Sequence, residues 1–202
     1  MIRKLLIVLA AVMVSGCFNL GNLGLKRSAP AVVSYVLDDT APVTPAVPIK
    51  ATAPTLLVLD TTTAGFYDTV QLVYSRTPDT RGQYQLARWT ERPGKRFANL
   101  MRARLDRQSG WRVSAAGGYV RGDLLLDTEL VEFYHDASSR PGNLRFVLRA
   151  ELVDLKKRAV LGRRIFDETV PLQSFDAAGA ATASNQAVSR TLDELSAWLA
   201  SF

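Results

Sequence analysis

The sequence predicts an α+β chain, and three observations carry that reading. Several short segments alternate apolar and polar residues with the period of a β-strand, and two longer stretches repeat apolar residues with the period of an α-helix. The chain is 202 residues long and 48% hydrophobic, enough for one core and within the range of a single domain.

The first sixteen residues stand apart from that pattern. Arg3 and Lys4 form a charged start, residues 5–13 are apolar without a break, and small residues follow, which is the anatomy of a secretory signal peptide. The apolar run is too short to span a bilayer, which takes ~20 residues. Val14-Ser15-Gly16-Cys17 resembles a bacterial lipobox. That resemblance implies cleavage before Cys17, lipidation of its thiol and acylation of the new amino terminus. Each buried methylene contributes ~0.8 kcal/mol, so two or more chains anchor a protein stably without a transmembrane helix. Cys17 is the only cysteine, which leaves no thiol for a disulfide or a Cys-based metal site. Phe18, not aspartate, follows it; in lipoproteins sorted by that position, this implies the outer membrane, facing the periplasm.

Loss of residues 1–16 removes Arg3 and Lys4 and lowers the formal charge from +6 to +4. A mildly basic chain suits anionic headgroups or acidic partners, and the compartment excludes nucleic acid. Residues 17–30 carry the lipidated cysteine and then glycines and asparagines without periodicity, a flexible tether. From Phe18 onward it would reach roughly 45 Å if fully extended at ~3.4 Å per residue. Residues 31–202 are read as one domain.

Within that domain, residues 32–37 form a β-rich strand ending at Asp38 and Asp39. These are read as surface charges, because neighbours on a strand face opposite ways. Residues 40–54 hold Pro42, Pro45, Pro48 and Pro54 and predict a stiff extended loop before a strand at 55–60. Residues 69–76 alternate, with Val70, Leu72 and Tyr74 on one face, and 83–89 form the hairpin partner across Pro78-Asp79. Pro93 opens a helix with Phe97, Leu100, Met101 and Leu105 on one face, closed by Ser109-Gly110; Lys95, Arg96, Arg102 and Arg107 read as its solvated side. A short strand at 111–114 follows. Residues 122–135 form the longest strand, and a change of apolar face near 131–133 predicts a bulge. Residues 143–154 give the cleanest alternation: Leu144, Phe146, Leu148, Ala150 and Leu152 against Arg145, Arg149 and Glu151. Residues 160–170 form the final strand. From Asp176 to Phe202 the pattern is helical, with Val188, Leu192, Leu195, Leu199 and Phe202 on one stripe; its small-residue start suits close approach to a sheet or to another subunit.

His135, the only histidine, sits where the strand at 122–135 runs out into a hairpin loop. With Ser138 and Asp136 it is too close in sequence to build a triad, and no nucleophile-elbow glycines are present. No cluster has metal-ligand spacing and no phosphate loop occurs, so no enzyme activity, cofactor or metal is expected. Lys156, Lys157, Arg158, Arg163 and Arg164 make the densest basic run of the domain, a charged hairpin end and the candidate contact patch for lipid headgroups or an acidic partner.

The order of lipobox, tether, Ser34-Tyr35-Val36-Leu37, Gln71-Leu72-Val73-Tyr74-Ser75-Arg76, Tyr84 and Arg88-Trp89 resembles the ABC-type transport auxiliary lipoproteins, the family of paraquat-inducible protein C. Leu152-Val153-Asp154, Arg164-Ile165-Phe166, Val170-Pro171 and Leu195-Ser196-Ala197-Trp198-Leu199 extend the resemblance over nearly all of the mature chain. Asp68-Thr69-Val70-Gln71 departs from it by lacking a proline before the central strand.

The resemblance implies a periplasmic α+β domain: one twisted, mainly antiparallel sheet with two main helices packed on it. It implies a non-catalytic auxiliary of an MCE-type ABC system that moves lipids or other hydrophobic molecules, with an MCE subunit as partner. A lipid-binding module holding an acyl chain in an apolar cleft between helices and sheet is the alternative, and a periplasmic hydrolase is a third reading. Homo-oligomerisation is left open.

Overall fold

The computed structural model describes residues 30–202. Nine strands build one sheet: β1 (Val33–Tyr35), β2 (Thr55–Val58), β3 (Thr62–Thr63), β4 (Gln71–Ser75), β5 (Gly82–Trp89), β6 (Arg112–Ala115), β7 (Leu124–Asp136), β8 (Asn143–Asp154) and β9 (Ala159–Pro171). Helix α1 (Pro93–Gln108) lies between β5 and β6, and α2 (Ala177–Leu199) closes the chain. The α+β expectation holds.

The sheet is organised around β7. One of its edges runs antiparallel to β8 along nearly the whole strand, and β8 in turn pairs with β9. The other edge is shared end to end by β2 at Leu124–Leu126, β3 at Glu129–Leu130 and β4 at His135–Asp136, all parallel to it. Thr55 to Ser75 therefore behaves as one interrupted strand, broken by the 3-10 turn Gly65–Tyr67. Antiparallel ladders hold most of the registered pairs, as expected. The short parallel contacts were not foreseen, because long-range pairing leaves no local mark in a sequence.

The predicted bulge is present. Leu130 faces Leu148 and Glu132 faces Val147, so Val131 is the extra residue. It reverses the parity of the strand: Leu126, Thr128 and Leu130 point inward before it, Phe133 and His135 after it. On β8 the alternation is as predicted, with Phe146, Leu148, Ala150 and Leu152 fully buried and Leu144 nearly so. Each large side chain among them contributes about 1.5–3 kcal/mol of burial free energy.

Both helices cover the inner face of the sheet. In α1, Phe97, Met101 and Leu105 are fully buried, and the helix stops at Ser109 with Gly110 at φ 71°, the left-handed turn that glycine allows. Gly94 sits against β3, where a Cβ would run into Thr63 Oγ1. In α2 the Asp176 side chain accepts from Gly179 N at 2.8 Å and caps the first turn. The small residues Ala180, Ala181, Ala183 and Ala187 are buried, so α2 lies close on β8 and β9. Val188, Leu192, Leu195 and Leu199 continue the stripe. Phe202 departs from it: the helix ends at Leu199, and Phe202 is half-exposed with its ring edge-on to Trp198.

Asp39 also departs from expectation. Its carboxylate is almost buried and takes two hydrogen bonds from Arg104, itself 2% exposed, while Ser189 Oγ donates to it from α2. Only Asp38, paired with Arg96 at 3.2 Å, is a surface charge. Likewise two of the four basic residues read as the solvated side of α1 are committed, Arg96 to Asp38 and Arg102 to Asp60 at 3.0 Å.

Candidate interaction surfaces

The residues singled out in the sequence fall in three places. Cys17 and the tether up to residue 29 lie outside the described residues. The basic run forms the turn between β8 and β9 and the strand after it. Arg158 turns the chain at φ 54°. Lys156 reaches Asp123 at 2.7 Å, Lys157 reaches Asp154 at 3.6 Å, Arg164 reaches Glu194 at 3.2 Å, and Arg163 pairs with Glu151. Lys156 holds the Asp123 carboxyl below the usual range, and Asp123 in turn raises the Lys156 ammonium. These pairs are exposed and screened by salt, so the patch remains accessible to competing anions.

His135 is the penultimate residue of β7. The bulge at Val131 turns it into the core, where it is 1% exposed. Tyr84 Oη lies 2.8 Å from Nδ1, and Nε2 lies 3.2 Å from the Pro141 carbonyl. The tautomer with a proton on Nε2 satisfies both contacts. Burial lowers the His135 pKa and pushes the Tyr84 hydroxyl up to about 12. With both ring nitrogens engaged and Ser138 exposed on its turn, His135, Asp136 and Ser138 do not assemble a triad.

A third feature was missed. On the outer side of His135, Tyr74, Arg76, Tyr84, Leu86, Ala137 and Phe175 line an open cleft of about 350 Å³. Tyr74 and Tyr84 meet edge-on at 5.1 Å, and Arg76 lies over the Tyr74 ring at 5.2 Å. Phe175, in the loop before α2, packs on His135 at 5.4 Å, and Arg140 lies over its ring at 4.6 Å. The signal available in the sequence was a tyrosine on either side of the Pro78-Asp79 turn; Phe175 gave none, because it joins them only through tertiary packing.

Between helices and sheet, Leu72, Phe97, Met101, Phe146, Leu148 and Leu192 are buried. The cavity among Leu72, Trp89, Phe133, Leu144 and Ala180 measures about 10 Å³, room for one water, whereas ligand pockets run to ~300 Å³ and more. Among the described residues no group of acidic, histidine or cysteine side chains is placed to hold a metal, and no helix is long and apolar enough to cross a membrane.

Curled sheet, two helices on its inner face, a filled core and a satisfied histidine define a domain whose distinguishing features are on its surface. The chain belongs to the ABC-type transport auxiliary lipoprotein component family, which matches over residues 35–196. A crystal structure of a Xanthomonas campestris protein of the DUF330 family is 24% identical, with TM-score 0.71, covering 83% of this chain and 94% of that one. A second crystal structure, of an uncharacterized protein, is 12% identical with TM-score 0.64, covering 83% of this chain and 99% of that one. A PelC dodecamer from Paraburkholderia phytofirmans is more distant, at 18% identity and TM-score 0.45, with 74% and 92% covered. Comparison with curated protein sequences gives no match.

Proposed function

We propose that this chain is the membrane-anchored docking component of an MCE-type ABC transport system. It is held by lipidated Cys17 on the periplasmic face of the outer membrane, and it serves the movement of lipids or other hydrophobic molecules across the envelope. The observation that carries this reading is the family match over residues 35–196, on a domain whose described core is solid. A packed interior favours a role in contact over one in carriage. ATP hydrolysis belongs to a separate subunit. The chain's part is to recognise that assembly through its surface, with Lys156, Lys157, Arg158, Arg163 and Arg164 as one contact patch.

The test is an affinity pull-down of the lipidated protein from detergent-solubilised envelopes, with mass spectrometry of proteins and lipids. Recovery of an MCE or permease subunit supports the reading. Recovery of bound lipid at one molecule per chain, with no transporter subunit, would replace docking by carriage.

A further inference from the structure

From the cleft at Tyr74, Tyr84 and Phe175 we infer that it receives an extended acidic segment of a protein partner, added as a strand to the free edge of β5. Three observations meet there. First, β1 pairs with β5 only at Ala87–Trp89, so among the described residues the outer edge of β5 from Gly82 to Leu86 has no neighbouring strand. Such an edge offers main-chain donors and acceptors to an incoming extended chain.

Second, β5 is bulged at this place. The register passes from Gln71 opposite Arg88 to Val73 opposite Gln83, two residues along β4 against five along β5. The Gln71 amide, with its nitrogen turned toward β5, spans the gap by donating to the Tyr84 carbonyl at 3.1 Å and the Ala87 carbonyl at 3.2 Å. Bulges re-aim side chains and concentrate beside functional sites. Here the bulged stretch leaves Leu86 46% exposed at the cleft instead of packed on β4.

Third, the cleft has aromatic walls, and among the described residues Arg76 is the one charged residue that lines it. Arg76 and Arg140 both lie over rings, and neither is in a salt bridge with a described carboxylate. Asp136 accepts from Ser138 N and Asp176 caps α2, and neither carboxylate lines the cleft. An incoming carboxylate would meet Arg76, while an apolar side chain next to it would enter between Tyr74, Leu86 and Phe175. Strand addition separates this occupant from an anionic lipid, whose phosphate can accept main-chain N–H bonds but offers no alternating ladder of donors and acceptors. The inference rests on the docking reading in one respect, that a protein of the transport assembly supplies the segment.

The test uses fluorescence anisotropy and the mature chain with Cys17→Ser, which carries no acyl chain that would itself insert into vesicles. The probes are a short labelled peptide alternating glutamate with valine and phenylalanine, its lysine counterpart, and vesicles of phosphatidylglycerol with phosphatidylcholine. The acidic peptide binds, the lysine peptide does not, and added salt weakens binding. Arg76→Glu weakens it by about tenfold through charge reversal, and Gln85→Pro does so by removing an edge N–H without changing charge. Both positions are exposed, and circular dichroism confirms folding; if the proline variant misfolds, Arg76→Glu alone decides. Equal binding of the two peptides, variants that bind like this parent chain, binding of vesicles alone, or no binding overturns the inference. In the envelope pull-down, Arg76→Glu recovering transporter subunits as well as wild type overturns the cleft and leaves docking standing. If wild type recovers none, docking fails, and anisotropy still decides the cleft.

Discussion

Arg104 and Asp39, 65 residues apart in the chain, meet through paired hydrogen bonds of 2.8 and 2.6 Å where the strap after β1 passes between the two helices. Arg104 also pairs with Asp193 on α2, and Ser189 Oγ and the Ala41 N–H both donate to Asp39. The cluster ties the strap to both helices. Burial alone would raise the Asp39 pKa; the hydrogen bonds from Arg104, Ala41 and Ser189 outweigh it and hold the carboxyl below its usual value.

Breaking this pair leaves the buried Arg104 with the exposed Asp193 as its one remaining carboxylate among the described residues. Asp39→Ala is expected to destabilise the domain by about 3–5 kcal/mol, whereas Asp39→Ala with Arg104→Met recovers much of the loss. Urea unfolding of the three proteins measures both effects.

His135 sets a pH dependence. Its folded pKa lies below the ordinary 6.5 because burial disfavours the imidazolium. Between those two values the unfolded chain binds more protons than the folded one, so stability is full above pH 6.5 and falls as the pH drops toward the folded pKa. Melting temperatures measured from pH 7.5 to pH 5 should decline in the wild type and decline less in His135→Gln. Asp39 has the same sign but acts lower: its contribution is present above its unfolded pKa near 3.8 and is lost below it.

The small-residue face of α2 is a packing requirement. Ala187 is fully buried at the approach of α2 to the sheet. Ala187→Leu is expected to cost about 1–3 kcal/mol through overpacking, and Leu148→Ala about 2–5 kcal/mol through the cavity it leaves. Chemical denaturation with the slope held fixed checks both.

Charge reversal of the exposed patch should separate contact from stability. Lys157→Glu with Arg158→Glu is expected to leave the melting temperature unchanged, since the group they lose is a solvated turn. Recovery of the partner in envelope pull-downs should fall. An unchanged recovery would remove the patch from the docking surface.

Local order was legible where one residue's neighbours in sequence are also its neighbours in space. Pro93 and Ser109-Gly110 bracket α1 as read, Leu144 to Leu152 alternate as read, and even the bulge at Val131 could be placed from the switch of apolar face. What escaped was set by distant partners. Asp39 is indistinguishable from Asp38 in sequence until Arg104 arrives beside it. His135 looked like the end of a strand because the reach of β4 alongside β7 has no local signature. The cleft needed Phe175 from one segment and Tyr74 and Tyr84 from another. The parallel pairing of β2, β3 and β4 with β7 escaped for the same reason.

The central claim is docking through a lipid-anchored domain, and the envelope pull-down tests it most directly when wild type is run beside Cys17→Ser. The account predicts that lipidated wild type brings down MCE or permease subunits, and that the unanchored variant, released from the membrane, brings down markedly less. Wild type recovering no transporter subunit across several detergents would contradict it.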